Sequence, residues 1–189
     1  DACVDLLLSK NTIWAGVAAL GRRAGIRLDF TCVGFENFSQ PELDRLNKGT
    51  TPAQNIAAIK LLRQLRDGDG DVFSMQHAAA GFILFTPWTT PADFETNLRI
   101  IRALGFAEFR SGLAASRLRL YPEMPLYHLA ARDGLLLDAR PADWDEMTGY
   151  AADHPWRFRM RETQLAYADA ARRNQRAVSA AGRGGSGAG

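Results

Sequence analysis

The sequence is short of the residue types that most often carry metal and nucleophilic chemistry. It has two cysteines and three histidines in 189 residues. Cys3 and Cys32 lie 29 positions apart without a CxxC partner, so their spacing signals neither a zinc site nor a disulfide framework, and they read as buried or incidental thiols. His77, His128 and His154 are isolated, with no paired spacing for a metal or a nucleophile, and read as surface or turn histidines. There is no GxSxG and no evident Ser/His/Asp arrangement. Long apolar runs are missing too. "GFILF" at 81–85 falls far short of the ~20 residues that cross a bilayer, and the N-terminal "DACVDLLLSK" has no basic n-region. A cytoplasmic protein without membrane contact is expected.

What is present is enough apolar material, 47% of the residues, to bury a core, and the length favours one domain with some extra sequence. The formal charge of +2 hides an asymmetry. Residues 1–154 carry 16 Lys+Arg against 19 Asp+Glu, and residues 155–189 carry 7 against 2, with Arg157, Arg159, Arg161, Arg172, Arg173 and Arg176 prominent. Such an arm can touch nucleic acid or an acidic surface. Without an aromatic stacking platform beside it, a solvated Arg-rich helix is the preferred reading, and a nucleic-acid partner is not expected.

The four letters TTPA occur twice, at 50–53 and 89–92. In each, the second threonine suits a helix N-cap and the proline the first helical position, where its missing N–H costs nothing. The first copy opens a helix with Ile56, Ile59, Leu62 and Leu65 as its stripe. The second opens one with Phe94, Leu98, Ile101 and Leu104, stopped by Gly105. Before each copy lies a strand-like run, "TCVGF" and "GFILF". The chain thus repeats a strand-to-helix unit of about 40 residues, as parallel strands joined by helical crossovers require. An earlier helix is expected in "TIWAGVAALGRRAGI", with Ile13, Val17 and Leu20 buried, followed by a short alternating strand "IRLDF". A further strand "SRLRLY" and a short helix near "PLYHLAARDGLL" come later. The segment 155–177 has helix-forming composition but a poor apolar stripe.

In parallel α/β sheets ligands gather at the carboxyl ends of strands, which selects residues 36–39, 86–90 and 121–124. Glu36, with Asn37 and Ser39 beside it, can hold ribose hydroxyls or an amino group, or equally cap the following turn. Two other motifs fail on spacing. "DGDGD" at 67–71 puts Val72 and Ala78 where a calcium loop needs Gly and Glu, and "NKGTT" lacks the earlier glycine of a phosphate loop.

Three ordered segments, "VGFENFSQPELDRLNKGTTPAQNIAAIKLL", "GFILFTPWTTPADFETNLRIIRALGF" and "LRLYPEMPLYHLAARDGLL", make the chain resemble the radical S-adenosylmethionine (radical SAM) enzymes. The likeness is closest to the branch often joined to a cobalamin-binding domain, and it runs from about Ala15 to Leu136. It implies an α/β fold, a partial (β/α) TIM-type barrel of parallel strands over 1–138, with a basic helical extension over 139–179 and a flexible tail over 180–189. It also implies SAM and a 4Fe-4S cluster held by CxxxCxxC, whose reductive cleavage of SAM starts hydrogen abstraction from a substrate. Cobalamin is implied only through another domain. By the family pattern Glu36 and Ser39 lie near the ribose and methionine moiety of SAM, Ile83 packs on adenine, and the backbone of Leu120 reads the adenine edge.

The sequence departs from that pattern where it matters most. It has no CxxxCxxC, so the chain alone is expected to be inactive, its partner being the N-terminal barrel part of a longer chain. Family members place a helix and turn between the strands that here abut at Phe30 and Thr31. That implies either a stretch omitted there or a truncated or degraded copy. Asn37 stands where serine is commoner, and Phe85 replaces a usual glycine and would narrow the SAM pocket. The alternative reading is a non-catalytic barrel remnant that binds a nucleotide or a partner.

Overall fold

The computed structural model describes residues 3–30, 33–75, 80–105, 116–139 and 154–184, with backbone alone at Cys3, Asn11, Ala80 and 174–184. The chain forms two compact units, one of Asp1–Phe82 with Ile100–Phe109, the other of Ile83–Arg99 with Arg110–Gly189.

In the first unit come α1 (Cys3–Ser9), a single 3-10 turn, α2 (Trp14–Ala24), β1 (Leu28–Asp29), β2 (Val33–Glu36), α3 (Gln40–Arg45), α4 (Pro52–Gly68), β3 (Phe73–Ser74) and β4 (Ala80–Phe82). The strands pair in parallel as two separate two-stranded sheets, β1 with β3 and β2 with β4. The α/β class with parallel strands is therefore as expected, and no closed barrel is formed among the described residues. The pairing bears on the join at Phe30 and Thr31. β1 and β2 are not neighbours in one ladder, so no crossover is needed between them, and each finds its partner later in the chain.

Two aromatic clusters anchor this unit. Trp14, Phe30 and Phe73 meet with ring centroids 5.7–6.0 Å apart over Ala18, Leu65 and Val72. Phe35 and Phe38 both pack on Phe82. The expected face of α2 is corrected. Ile13 and Leu20 are 47% and 55% exposed, and the helix buries Ala18 and Gly21 instead. At Gly21 the approach is close: a Cβ there would lie 2.6 Å from Val72 Cγ1, so that position takes glycine, while Trp14 and Val17 pack on the same core. Gly25, at φ 65°, ends the helix as expected.

In the second unit, "SRLRLY" does not become a strand. Only Arg117 makes a bridge, parallel to Phe85. The carbonyls of Leu118 and Leu120 instead accept from the Trp156 indole and the His154 N–H, at 2.8 and 2.7 Å. α6 (Pro125–Arg132) follows where a short helix is expected. α7 (Arg161–Gly184) runs on past Ala180, where the tail is expected to begin, because the alanines there are strong helix formers. Its buried stripe is Thr163, Tyr167 and Ala170. Phe85 is wholly buried with its ring against Phe94, Phe158 and Tyr167, so the C-terminal segment supplies core to this unit.

Both TTPA copies start helices. Thr51 and Gln54 exchange hydrogen bonds in a capping box at α4, and Thr90 and Asp93 do the same at α5 (Pro91–Leu104). Ile59, Leu62 and Leu65 are buried on α4 with Asn55 and Ala58. On α5 the expected stripe is half-buried, Asn97 is buried, and Gly105 at φ 60° follows the last turn. No helix among the described residues is long and apolar enough to cross a membrane. Thr51→Ala and Thr90→Ala should each lower the unfolding free energy by about 1 kcal/mol in urea titrations, and no loss at either position would show that these caps do not hold the helices.

Candidate functional site

The carboxyl end of β2 is built differently from an ordinary strand end. Val33 and Phe35 point into the core by the usual alternation, and then the register with β4 breaks between Gly34 and Glu36. Such a bulge bends a strand and re-aims the side chain beyond it. Glu36 itself has φ 61°, in the left-handed region that a residue with a Cβ enters only under constraint. The turn around it is closed by the Asn37 N–H donating to the Phe35 carbonyl at 2.7 Å.

The constraint comes from α4. Asn55 is fully buried in the first turn of that helix, and its side-chain amide donates to the carbonyls of Phe35 and Asn37, at 2.8 and 2.9 Å. It therefore grips the backbone on both sides of Glu36. Asn55 Oδ1, facing away from those two bonds, is buried with no hydrogen-bond partner, as is Thr50 Oγ1. The first TTPA acquires a purpose here: its capped threonine fixes where α4 begins, and hence where Asn55 stands.

The Glu36 side chain goes to Lys48, whose Nζ lies 2.9 Å from Oε1. The two side chains are only 15% and 9% exposed, so this pair is largely out of water. Lys48 is delivered by the way α3 ends. Asn47, at φ 51°, turns the chain back after the helix, with its N–H on Asp44 O and the N–H of Lys48 on Leu43 O. This is a Schellman ending with asparagine in the place glycine usually takes. Glu36 and Asn47 are the two non-glycine residues with positive φ among the described residues, and both belong to this one constellation.

Of the two open readings of Glu36, turn cap or polar contact, the structure separates the roles. Asn37 Oδ1 accepts from the Ser39 N–H at 2.8 Å and makes the turn, which is why an asparagine sits there, while the Glu36 carboxylate is turned to Lys48. Ser39, 5% exposed, is the N-cap residue of α3. Ile83 is half-buried and Leu120 fully buried, both in the second unit, and the Leu120 carbonyl already accepts from His154. Lys48 and Asn55 were not singled out from sequence. A polar residue on the buried stripe of α4 is the signal for Asn55; Lys48 gave none beyond its place in "NKGTT".

Residues 86–90 of the second unit form a buried, self-bonded turn. Thr86 N–H donates to Thr89 Oγ1, Trp88 N–H to Thr86 Oγ1, and Thr163 Oγ1 to the Thr89 carbonyl. The Trp88 indole donates to Asp133 Oδ2 at 2.8 Å, where Arg159 also pairs, and Arg132 reaches Oδ1. The Trp88 bond first, then Arg132 and Arg159, hold the Asp133 carboxyl below its ordinary range, against partial desolvation. Residues 121–124 are a turn, closed by Met124 N–H on Tyr121 O, leading into α6.

Several other charged groups are engaged within the chain. Arg22 spans Asp69 and Asp71 of the "DGDGD" loop, and Arg157 donates to the Gly134 carbonyl. Arg173 pairs with Asp169, and the Arg117 guanidinium lies 4.3 Å from the Trp156 ring centroid. No group of three or more His, Cys, Asp or Glu among the described residues is placed to hold a metal ion. Cys32 and His77 lie outside the described residues. No family model matches the chain, and neither does a curated protein or a solved structure.

Two outcomes follow. Asn55→Leu removes both amide bonds, leaving the Phe35 carbonyl with the Asn37 N–H alone and the Asn37 carbonyl without this donor, so it should cost about 1–3 kcal/mol in urea unfolding. A loss near zero would show that the grip on Glu36 is not structural. For Asp133, a folded pKa below the unfolded value means that its contribution is complete above pH ~4 and disappears as the pH falls further. Thermal melting of Asp133→Asn should therefore fall less between neutral and strongly acid pH than that of the wild type; parallel curves would refute this role.

Proposed function

We propose that these residues form the SAM-binding portion of a radical SAM enzyme, in a partial (β/α) barrel arrangement. The support is the ordered resemblance of three segments together with one observation: a strand-end carboxylate, Glu36, held in a strained conformation by a bulge, a buried asparagine and a lysine. Strain of this kind is retained where a side chain must be presented in one direction. Glu36 would accept a hydrogen bond from the ligand, with Ser39 beside it in the same unit.

The residues present do not fit a 4Fe-4S cluster. Three cysteine thiolates are needed, and the chain has two, 29 positions apart. The cluster, and with it the cleavage of SAM, would have to be supplied by residues other than these, so this chain by itself binds and does not catalyse. The same cysteine count favours the second reading, a nucleotide- or partner-binding module without radical chemistry.

Calorimetric titration of the 189-residue chain with SAM tests the site. Binding that Glu36→Ala weakens at least tenfold supports it, and absence of heat in the wild type, confirmed by equilibrium dialysis, removes the nucleotide site and leaves the partner module. In parallel, anaerobic reconstitution with iron and sulfide should leave no 4Fe-4S absorption or reducible cluster on this chain, and a stoichiometric cluster would overturn the assignment of its ligands elsewhere.

A further inference from the structure

The ion pair at the end of β2 makes one functional choice that the strand-end position alone leaves open. A lone carboxylate there would attract an ammonium group at least as strongly as a hydroxyl. Glu36 is not alone: Lys48 Nζ sits 2.9 Å from Oε1, and both side chains are largely buried, so their charges are weakly screened by water. A cation brought to the same carboxylate would be placed close to a second cation and would have to give up its own hydration.

The lysine is also not a passing surface contact. Its position follows from the Schellman ending of α3, where Asn47 adopts φ 51° and Gly49 φ 65° on either side of it. The carboxylate is fixed from its own side by the bulge and by Asn55. Two strained backbone segments thus converge on one charge pair, which is more constraint than a solvent-exposed ion pair, of marginal worth to stability, would justify.

We propose that Lys48 is a specificity-determining residue: it balances the charge of Glu36 so that the carboxylate accepts from a neutral donor, such as a sugar hydroxyl, and rejects a cationic group at that position. Lys48 acts here through Glu36, as a positioning and charge-balancing group rather than a catalytic one. This rests on the reading that Glu36 faces the ligand.

The test is a preference ratio, in which loss of folded protein cancels. The full chain is titrated with adenosine and with its 2′-amino and 3′-amino deoxy analogues, in which an ammonium replaces a ribose hydroxyl in mildly acid buffer. The wild type should prefer adenosine by at least tenfold over one or both analogues. Lys48→Met should shrink or invert that preference by at least tenfold, because Glu36 is then an uncompensated anion, and Lys48→Arg should restore it. Should Lys48→Met not fold, Glu36→Gln reads the other half of the pair: with the anion replaced by a neutral amide beside the same lysine, nothing there attracts a cation, and the discrimination against the analogues should rise at least threefold. Adenosine binding that depends on Glu36 but keeps the same preference in the foldable variant overturns this inference alone. A wild type that binds neither SAM nor adenosine overturns the nucleotide reading and this inference with it.

Discussion

The side-chain amide of Asn55 joins two pieces of backbone that would otherwise have no reason to stay in register with a helix. By donating to the carbonyls on both sides of Glu36, it ties the first turn of α4 to the end of β2 and makes a left-handed glutamate tolerable. Remove that tie and the neighbouring features lose their support. The bulge beside β4 would lose its tie, and the carboxylate would no longer be aimed at Lys48. The capped threonine of the first TTPA, the αL asparagine that ends α3 and the ion pair are in this sense parts of one device.

That device was legible in the sequence only in outline. The helix starts were readable because capping chemistry is local: Thr51 with Gln54 and Thr90 with Asp93 lie within four residues of each other, and proline marks the first turn. The candidate carboxylate was readable because a strand-like run ends on it. Lys48 was not, since it lies 12 residues beyond Glu36 and reaches it only through the turn at Asn47, whose φ no pattern of hydrophobicity records. Asn55 left a faint trace. The stripe counted as 56, 59, 62 and 65 is in fact centred on 55, 58, 59, 62 and 65, so a polar residue stands where an apolar one is expected.

Elsewhere sequence and structure part for a shared reason, which is that the size of an apolar side chain does not decide whether a close-packed face takes it. Ile13 and Leu20 are the large apolar residues of this stretch, whereas the face turned to the core is Trp14, Val17, Ala18 and Gly21, the last held to glycine by Val72. On α7 the stripe was missed because it is made of Thr163, Tyr167 and Ala170. Leu118 and Leu120 are buried as alternate strand residues would be, but the expected strand is not formed, because the Leu118 carbonyl takes an indole rather than a backbone ladder as its partner.

The face that α2 leaves outward has a colloidal consequence. Leu6 on α1, Ile13 in the 3-10 turn and Leu20 on α2, seven residues apart in sequence and each about half exposed, put large apolar side chains in water, and Lys10, Arg23 and Arg27 are exposed in the same stretch of sequence. A net charge of +2 gives two copies of the chain little long-range repulsion. Short-range separation then falls to those few cations, whose reach contracts to about 3 Å at molar salt. Contact between copies through these apolar side chains should accordingly respond to ionic strength more directly than the buried fold does.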